Sequence, residues 1–138
     1  MWWTTSLVWN IYEKELCATD GSIGKHPKLH SQKYSESLDQ EILNTTFIYF
    51  KNRYVSAGHA TDHFNTFEFK SEPIKKEVFE CLIDENLSST RKLKVLLYIA
   101  FRLRNNLFHG QKQVDKLYEQ NENFKRINLF LMNLIENK

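Results

Sequence analysis

Glycine, proline and cysteine are scarce in this chain of 138 residues, which contains 4, 2 and 2 of them respectively. So few glycines and prolines argue against an all-β domain with many tight turns and against a glycine-rich dinucleotide-binding loop. The two cysteines, Cys17 and Cys81, lie 64 positions apart, so neither a zinc site nor a disulfide framework is indicated. These absences favour an all-α protein in a reducing compartment, for which the cytoplasm is the simplest location.

Long uncharged stretches and a strong excess of one charge are missing as well. The chain is 41% hydrophobic and 26% charged, and its formal net charge is +2. No stretch approaches the roughly 18 uncharged residues of a membrane span. The apolar start has no basic region and soon meets Glu13, Lys14 and Glu15, unlike a secretory signal. We therefore expect one globular domain over residues 1–138, without a membrane segment.

The apolar residues recur at helical spacing and predict a compact bundle of four to five helices. The predicted helices cover approximately residues 5–17, 32–57, 71–86, 90 to beyond 100, and 113–136. Leu7, Ile11 and Tyr12 are expected to face inward, and Ser71 and Thr90 are the expected N-caps. The second helix is apolar on two sides and is therefore expected to be central. Near residues 58–71 we expect an irregular or β insertion, with an edge strand at 66–69 as the open alternative.

The fourth predicted helix carries a positive charge on an apolar face. Three apolar residues follow one another there in steps of four and three: Leu93, Leu97 and Ala100. The next step of four falls on Arg104. A guanidinium in this position requires an intramolecular carboxylate such as Asp39 or Glu41, or another specific anionic partner, unless the side chain reaches water. Arg102 is expected to point to water.

His109 and Gly110 follow Arg104 closely, and glycine suits the position just after a helix end. A histidine in the last turn lies at the negative end of the helix dipole, which favours its protonated form and suits an acid or base. Residues five apart lie about 140° apart around a straight helix, at about 100° per residue. Either the helix bends at Asn105–Asn106, or the arginine of one subunit meets the histidine of another across a symmetric dimer.

The segment RNNLFH, from Arg104 to His109, resembles the arginine-to-histidine motif of HEPN domains. The longer segment RLRNNLFHG is particularly similar to the Apea-like and abortive-infection-like HEPN groups. This resemblance implies a helical bundle, commonly a homodimer, in which two copies of the motif form one cleft at the interface. It also implies a metal-independent endoribonuclease of a toxin, phage-defence or RNA-processing type.

Each residue of the motif has a role that the resemblance implies. In such an enzyme the ribose 2′-OH attacks the adjacent phosphate, so the protein must move protons and stabilise charge. His109 would move the proton and Arg104 would hold the scissile phosphate. Asn105 would orient either the histidine or the phosphate. Four neighbours are the expected substrate-binding residues: Arg102, Asn106, Lys112 and Lys116. No metal or other cofactor is expected.

Positive charge is concentrated beside the motif. Between Ser88 and Lys116 there are seven lysines and arginines against Asp115 alone, which favours RNA or a nucleotide as partner over a simple solvated helix face. The alternative function is a non-catalytic HEPN module that binds nucleotide or RNA, or that mediates dimerisation and regulates a partner. An antitoxin or another regulatory partner fits either function. Gln111 stands where toxins paired with a nucleotidyltransferase antitoxin have a tyrosine, which argues against that pairing.

Two pairs of histidines have the spacing of metal ligands on a helix, His26 with His30 and His59 with His63. Both pairs fall in predicted loops, the first of them a basic segment that contains Pro27. Neither pair has a clear third ligand. The sequence therefore predicts no metal site.

Two further residue types have structural interpretations. Cys81 falls on an apolar helical stripe and is expected to be a small buried side chain. Trp2, Trp3 and Trp9 are expected either to pack into the bundle or to form a dimer surface or partner groove.

Overall fold

The computed structural model describes residues 8–12, 14, 26–34, 36, 38–67, 69, 71–108 and 121–136, with the backbone alone at 26, 28, 29, 105–108 and 121. In chain order the helices are α1 (residues 8–12, with 14 also helical), α2 (His26–Tyr34), α3 (Gln40–Tyr54), α4 (Asp62–Asn65), α5 (Glu72–Ile83), α6 (Ser89–Phe108) and α7 (Asn121–Glu136). Between α3 and α4, strands β1 (Val55–Ser56) and β2 (His59–Ala60) form a small antiparallel sheet. The predicted helical bundle is therefore confirmed.

Helix α6 lies at the centre of the fold and packs against α2, α3 and α5. All of its residues from 95 to 103 are buried, and apart from Tyr98 and Arg102 they carry no polar side-chain group. A helix covered on all sides requires apolar residues around its whole circumference, and this segment supplies them. Although α6 has 20 residues, neither it nor any other helix of the described ranges is long and apolar enough to cross a membrane.

The predicted helix over 32–57 is divided into α2 and α3. Helix α3 begins after Asp39, whose carboxylate accepts hydrogen bonds from the backbone N–H groups of Glu41 at 2.9 Å and Ile42 at 3.4 Å. Such an N-cap stabilises a new helix start by about 1 kcal/mol. Helix α3 also keeps an exposed face, formed by Glu41, Thr45, Ile48 and Asn52. Helix α3 packs against α4, α5, α6 and α7, as a central helix would, but it is less completely enclosed than α6.

The basic segment that was expected to be a loop forms α2. Pro27 lies in the first turn of this helix, where its missing N–H costs no helical hydrogen bond. The proline therefore starts the helix instead of preventing it. As a consequence His30, which would be exposed in a loop, is buried with 6% of its surface accessible.

The β-structure lies earlier in the chain than the candidate strand at 66–69. The hairpin turn has positive φ at Ala57 (52°) and Gly58 (78°), as two-residue hairpin turns require. In the region of the candidate strand, Phe67 and Phe69 form no strand and are buried. Their ring centroids lie 4.7 Å apart. The alternative of an edge strand at 66–69 is therefore wrong, because these aromatic residues pack into the core instead of pairing along a sheet edge.

Helix α1 turns Trp9 and Tyr12 toward the core. Trp9 is 1% exposed and Tyr12 is 0% exposed, whereas Ile11 is 43% exposed, so the predicted inward orientation of Ile11 is wrong. The Trp9 ring meets that of Phe101 edge-on, with the centroids 4.7 Å apart. Of the two interpretations of Trp9, core packing is the one observed. Three other residues of this prediction lie outside the described ranges: Trp2, Trp3 and Leu7.

The starts of α5 and α6 are set by serine side chains. Ser71 caps α5 as predicted, and α5 ends at Ile83, close to the predicted end. At the start of α6, the hydroxyl of Ser88 accepts a hydrogen bond from the backbone N–H of Arg91 at 3.3 Å. The N-cap is therefore Ser88, and the prediction of Thr90 is wrong. Helix α7 confirms the last predicted helix over its described part, whereas 113–120 lies outside the described ranges.

Helices α3 and α7 pack antiparallel. The Tyr49 hydroxyl donates to Asn123 Oδ1 at 2.6 Å, and the Asp39 backbone N–H donates to Asn133 Oδ1 at 3.1 Å. Later residues of α3 thus meet earlier residues of α7. On the other side, α7 has five exposed residues: Glu122, Lys125, Leu129, Met132 and Glu136.

Replacement of Leu97 by alanine tests the central position of α6. Leu97 is 0% exposed, and truncation of such a side chain lowers the free energy of unfolding by about 2–5 kcal/mol. Urea denaturation followed by circular dichroism measures this loss. The control is Ile48→Ala at a position that is 53% exposed, where we expect a change within about 0.5 kcal/mol. Equal effects of the two variants would contradict a central α6.

Candidate functional site at the end of the central helix

Arg104 continues the buried stripe of α6. The three stripe residues before it are each 0% exposed: Leu93, Leu97 and Ala100. Arg104 itself is half-buried, and the helix continues to Phe108. The predicted placement is confirmed, since the guanidinium lies where an apolar stripe reaches the edge of the core.

The side chain of Arg104 lies over an aromatic ring. Its guanidinium carbon is 5.8 Å from the ring centroid of Trp9, and Trp9 is itself fixed by burial and by its contact with Phe101. A cation over an indole face gains about 0.5–2 kcal/mol, more where water is excluded. The contact therefore orients the guanidinium. Sequence reasoning missed it because the two residues lie 95 positions apart, although the unusual tryptophans near the start were a signal.

The two carboxylates considered as partners of Arg104 have other positions. Asp39 caps α3 through hydrogen bonds to backbone N–H groups, and Glu41 is exposed in the first turn of the same helix. Within the described structure neither of them forms an ion pair with Arg104. Neither of these two carboxylates therefore compensates the charge of Arg104.

A buried tyrosine–histidine pair adjoins Trp9. Tyr12 Oη and His30 Nδ1 are 2.6 Å apart, and the Tyr12 ring centroid is 5.2 Å from that of Trp9. In a neutral histidine the hydroxyl donates to an unprotonated Nδ1. Sequence reasoning missed His30 because it read the segment as a loop. The spacing of His30 and Tyr34 would have placed both on one helix face if Pro27 had been taken as a first-turn residue.

The other predicted site residues are less completely described. Arg102 is 5% exposed, so the expectation that it points to water is wrong, and its burial does not favour contact with a substrate. Asn105 and Asn106 have helical backbone, so α6 does not end there. Four residues of the prediction lie outside the described ranges: His109, Gly110, Lys112 and Lys116. Arg104 is therefore the motif residue whose side chain the structure describes.

Part of the positive charge near the start of α6 holds the bundle together. Lys94 Nζ lies 2.6 Å from Glu77 Oε1 on α5. Burial lowers the pKa of Lys94, but the hydrogen bond to Glu77 and nearby groups outweigh burial and raise the pKa above its usual value. Lys92 donates to Asn44 Oδ1 on α3 at 3.0 Å. These two lysines join α6 to its neighbours and contribute little to a free cationic surface.

Cys81 is a buried structural residue, as predicted. It is 2% exposed, and burial raises the pKa of its thiol. A guanidinium nitrogen of Arg91 donates to its sulfur at 3.1 Å. A thiol that is buried and protonated is a poor nucleophile.

The two histidine pairs differ in placement, because His26 and His30 share α2 whereas His59 and His63 lie on different elements. His59 on β2 and His63 on α4 are both exposed, whereas His30 is occupied by Tyr12. In the described ranges no group of three or more histidine, cysteine, aspartate or glutamate side chains is arranged to hold a metal ion.

Comparison of the chain with protein-family models, curated proteins and solved structures finds no match. The function is therefore inferred from the chemistry at the end of α6. A guanidinium that is always charged and held in one orientation can bind two oxygens of a phosphate or carboxylate. This is the capacity that the described part of the site offers.

Replacement of Tyr12 by phenylalanine tests the buried pair beside the site. The change removes the hydroxyl at 2.6 Å from His30 Nδ1, and we expect the free energy of unfolding to fall by about 1–3 kcal/mol. Urea denaturation gives the value. The matched control is Tyr98→Phe, because Tyr98 is also a buried residue and its hydroxyl forms no hydrogen bond within the described ranges. A loss for Tyr12→Phe no larger than that of the control would show that the pair contributes nothing.

Proposed function

We propose that the protein is a metal-independent endoribonuclease that cleaves RNA by attack of the ribose 2′-OH, with Arg104 and His109 in a cleft shared by two copies of the chain. The observation that carries the proposal is the position of Arg104. Its guanidinium ends a fully buried apolar stripe and lies over the Trp9 ring. A cation fixed in this way can stabilise the charge that develops on a phosphate without reorganising.

The proposed chemistry follows from the residue types of the motif. A base removes the 2′-OH proton, the oxygen attacks the adjacent phosphorus, and the 5′ oxygen of the next nucleotide leaves with a proton. The products are a 2′,3′-cyclic phosphate and a 5′-OH. His109 moves the protons, Asn105 orients the histidine or the phosphate, and Arg104 holds two phosphate oxygens.

The five-residue separation of Arg104 and His109 in the sequence favours a site shared between two copies. The helix continues past Asn105 and Asn106, and on an unbroken helix residues five apart point about 140° away from each other. One chain therefore does not easily direct Arg104 and His109 at a single phosphate. In a symmetric homodimer the arginine of one copy acts with the histidine of the other, and each interface holds both combinations.

The surroundings of the motif suit an RNA backbone. Asn106, Lys112 and Lys116 are the proposed contacts to the substrate outside the scissile phosphate, and the buried Arg102 takes a structural role beside them. A cytoplasmic enzyme of this kind belongs to a toxin, phage-defence or RNA-processing system. There an antitoxin or another regulatory partner controls it.

Cleavage of a panel of single-stranded and structured RNAs in excess chelator tests the proposal. We expect the wild-type protein to release fragments with 2′,3′-cyclic phosphate ends. His109→Ala and Arg104→Ala are each expected to reduce the rate at least ~100-fold, as loss of an acid–base group or of a charge-stabilising group does. The matched control is Arg91→Ala, which removes the same charge from the other end of α6, where Arg91 is exposed. This variant is expected to retain full activity.

The outcomes separate the two candidate functions. Cleavage that both site variants retain would overturn the assignment of Arg104 and His109. A folded, dimeric wild-type protein that cleaves no RNA would overturn the ribonuclease. Binding of RNA or nucleotide that Arg104→Ala abolishes would then identify the non-catalytic module.

A further inference from the structure

Helix α7 has one face that the described part of the chain leaves uncovered. We call it the outer stripe, and its residues follow one another in steps of three and four: Glu122, Lys125, Leu129, Met132 and Glu136. Leu129 is 54% exposed and Met132 is 47% exposed. Alternating steps of three and four keep side chains in line along a helix, and this is the pattern by which two helices pair.

The two apolar residues of the outer stripe lie between charges of opposite sign. Lys125 precedes Leu129, and Glu136 follows Met132. Neither Lys125 nor Glu136 forms an ion pair within the described ranges. Glu122, by contrast, is already paired with Arg126 of the same helix at 3.1 Å. The stripe therefore has a positive end and a negative end, both available to a partner.

An antiparallel copy of the stripe complements four of its five residues, those from Lys125 to Glu136. Positions 125 and 136 have the same midpoint as positions 129 and 132. A two-fold axis at that midpoint therefore sets Leu129 against Met132 of a second copy, and Lys125 against Glu136 of that copy. Symmetry produces each of these contacts twice. A parallel pairing would instead set like charges against each other.

We propose that two copies of this chain pair antiparallel through the outer stripe of α7. The pairing rests on α7 alone and goes beyond the proposed ribonuclease. A helix of 16 residues is about 24 Å long, and one such contact is smaller than the roughly 800 Å² per partner of a typical stable interface. The expected homodimer therefore dissociates on dilution.

Sedimentation equilibrium over a range of concentrations measures the pairing. The wild-type protein is expected to shift from dimer to monomer as it is diluted. Leu129→Lys places two like charges at the centre of the contact, and we expect a monomer throughout. The matched control is Ile83→Lys on α5, where the isoleucine is 41% exposed. This variant adds the same charge away from the outer stripe and is expected to dimerise like the wild type.

Charge reversal tests the predicted antiparallel register. Lys125→Glu and Glu136→Lys are each expected to weaken the dimer about tenfold, because symmetry repeats the repulsion at two contacts. The double variant restores both attractions and is expected to return within about threefold of the wild-type dissociation constant. Lysine and glutamate are good helix formers, so unchanged circular dichroism serves as the control for folding.

Three results would overturn the pairing. The first is a wild-type protein that is monomeric at every concentration. The second is a dimer that Leu129→Lys leaves intact. The third is a double variant, Lys125→Glu with Glu136→Lys, whose dimer is no stronger than that of either single variant. The ribonuclease assay is independent of these results. RNA cleavage in a protein whose dimer does not involve α7 would overturn the pairing and leave the enzyme standing. A dimer through α7 that cleaves no RNA would overturn the enzyme and leave the pairing standing.

Discussion

The rest of the structure depends on the burial of α6 on all sides. Its residues from 95 to 103 are in contact with protein around the whole helix, and α2, α3 and α5 pack directly against it. Each of these neighbours needs to supply only one apolar face, which is why their outer sides can be polar. The burial of α6 also fixes the position of Arg104. The neighbouring helices bury the stripe that begins at Leu93, and Arg104 is the last residue of that stripe.

Charges on α6 differ in their surroundings according to their place along the helix. Near its start, Lys92 and Lys94 bind Asn44 and Glu77 on neighbouring helices. Further along the helix, Arg104 lies over the ring of Trp9. A count of basic residues along the sequence does not distinguish Lys92 and Lys94 from Arg104. Their different surroundings distinguish structural cations from a candidate for binding phosphate.

The features that could be predicted from the sequence are those set by neighbours in the chain. The N-cap at Ser71 and the stripe from Leu93 to Arg104 depend on residues within a few positions of one another, and both were predicted correctly. The break at Asp39 was missed because the apolar spacing on either side continues as if one helix ran through it. Trp9 and Arg104 could not be paired, since only the packing of α1 on α6 brings them together.

The contact between Trp9 and Arg104 makes the candidate site a product of the completed fold. The arginine lies 95 positions after the tryptophan, so the contact exists only where α1 packs on α6. A chain that has lost its first turns, or that has folded only in part, carries the charged group without the ring that orients it. Loss of α1 would therefore leave the sequence motif complete but remove the Trp9 ring from its guanidinium.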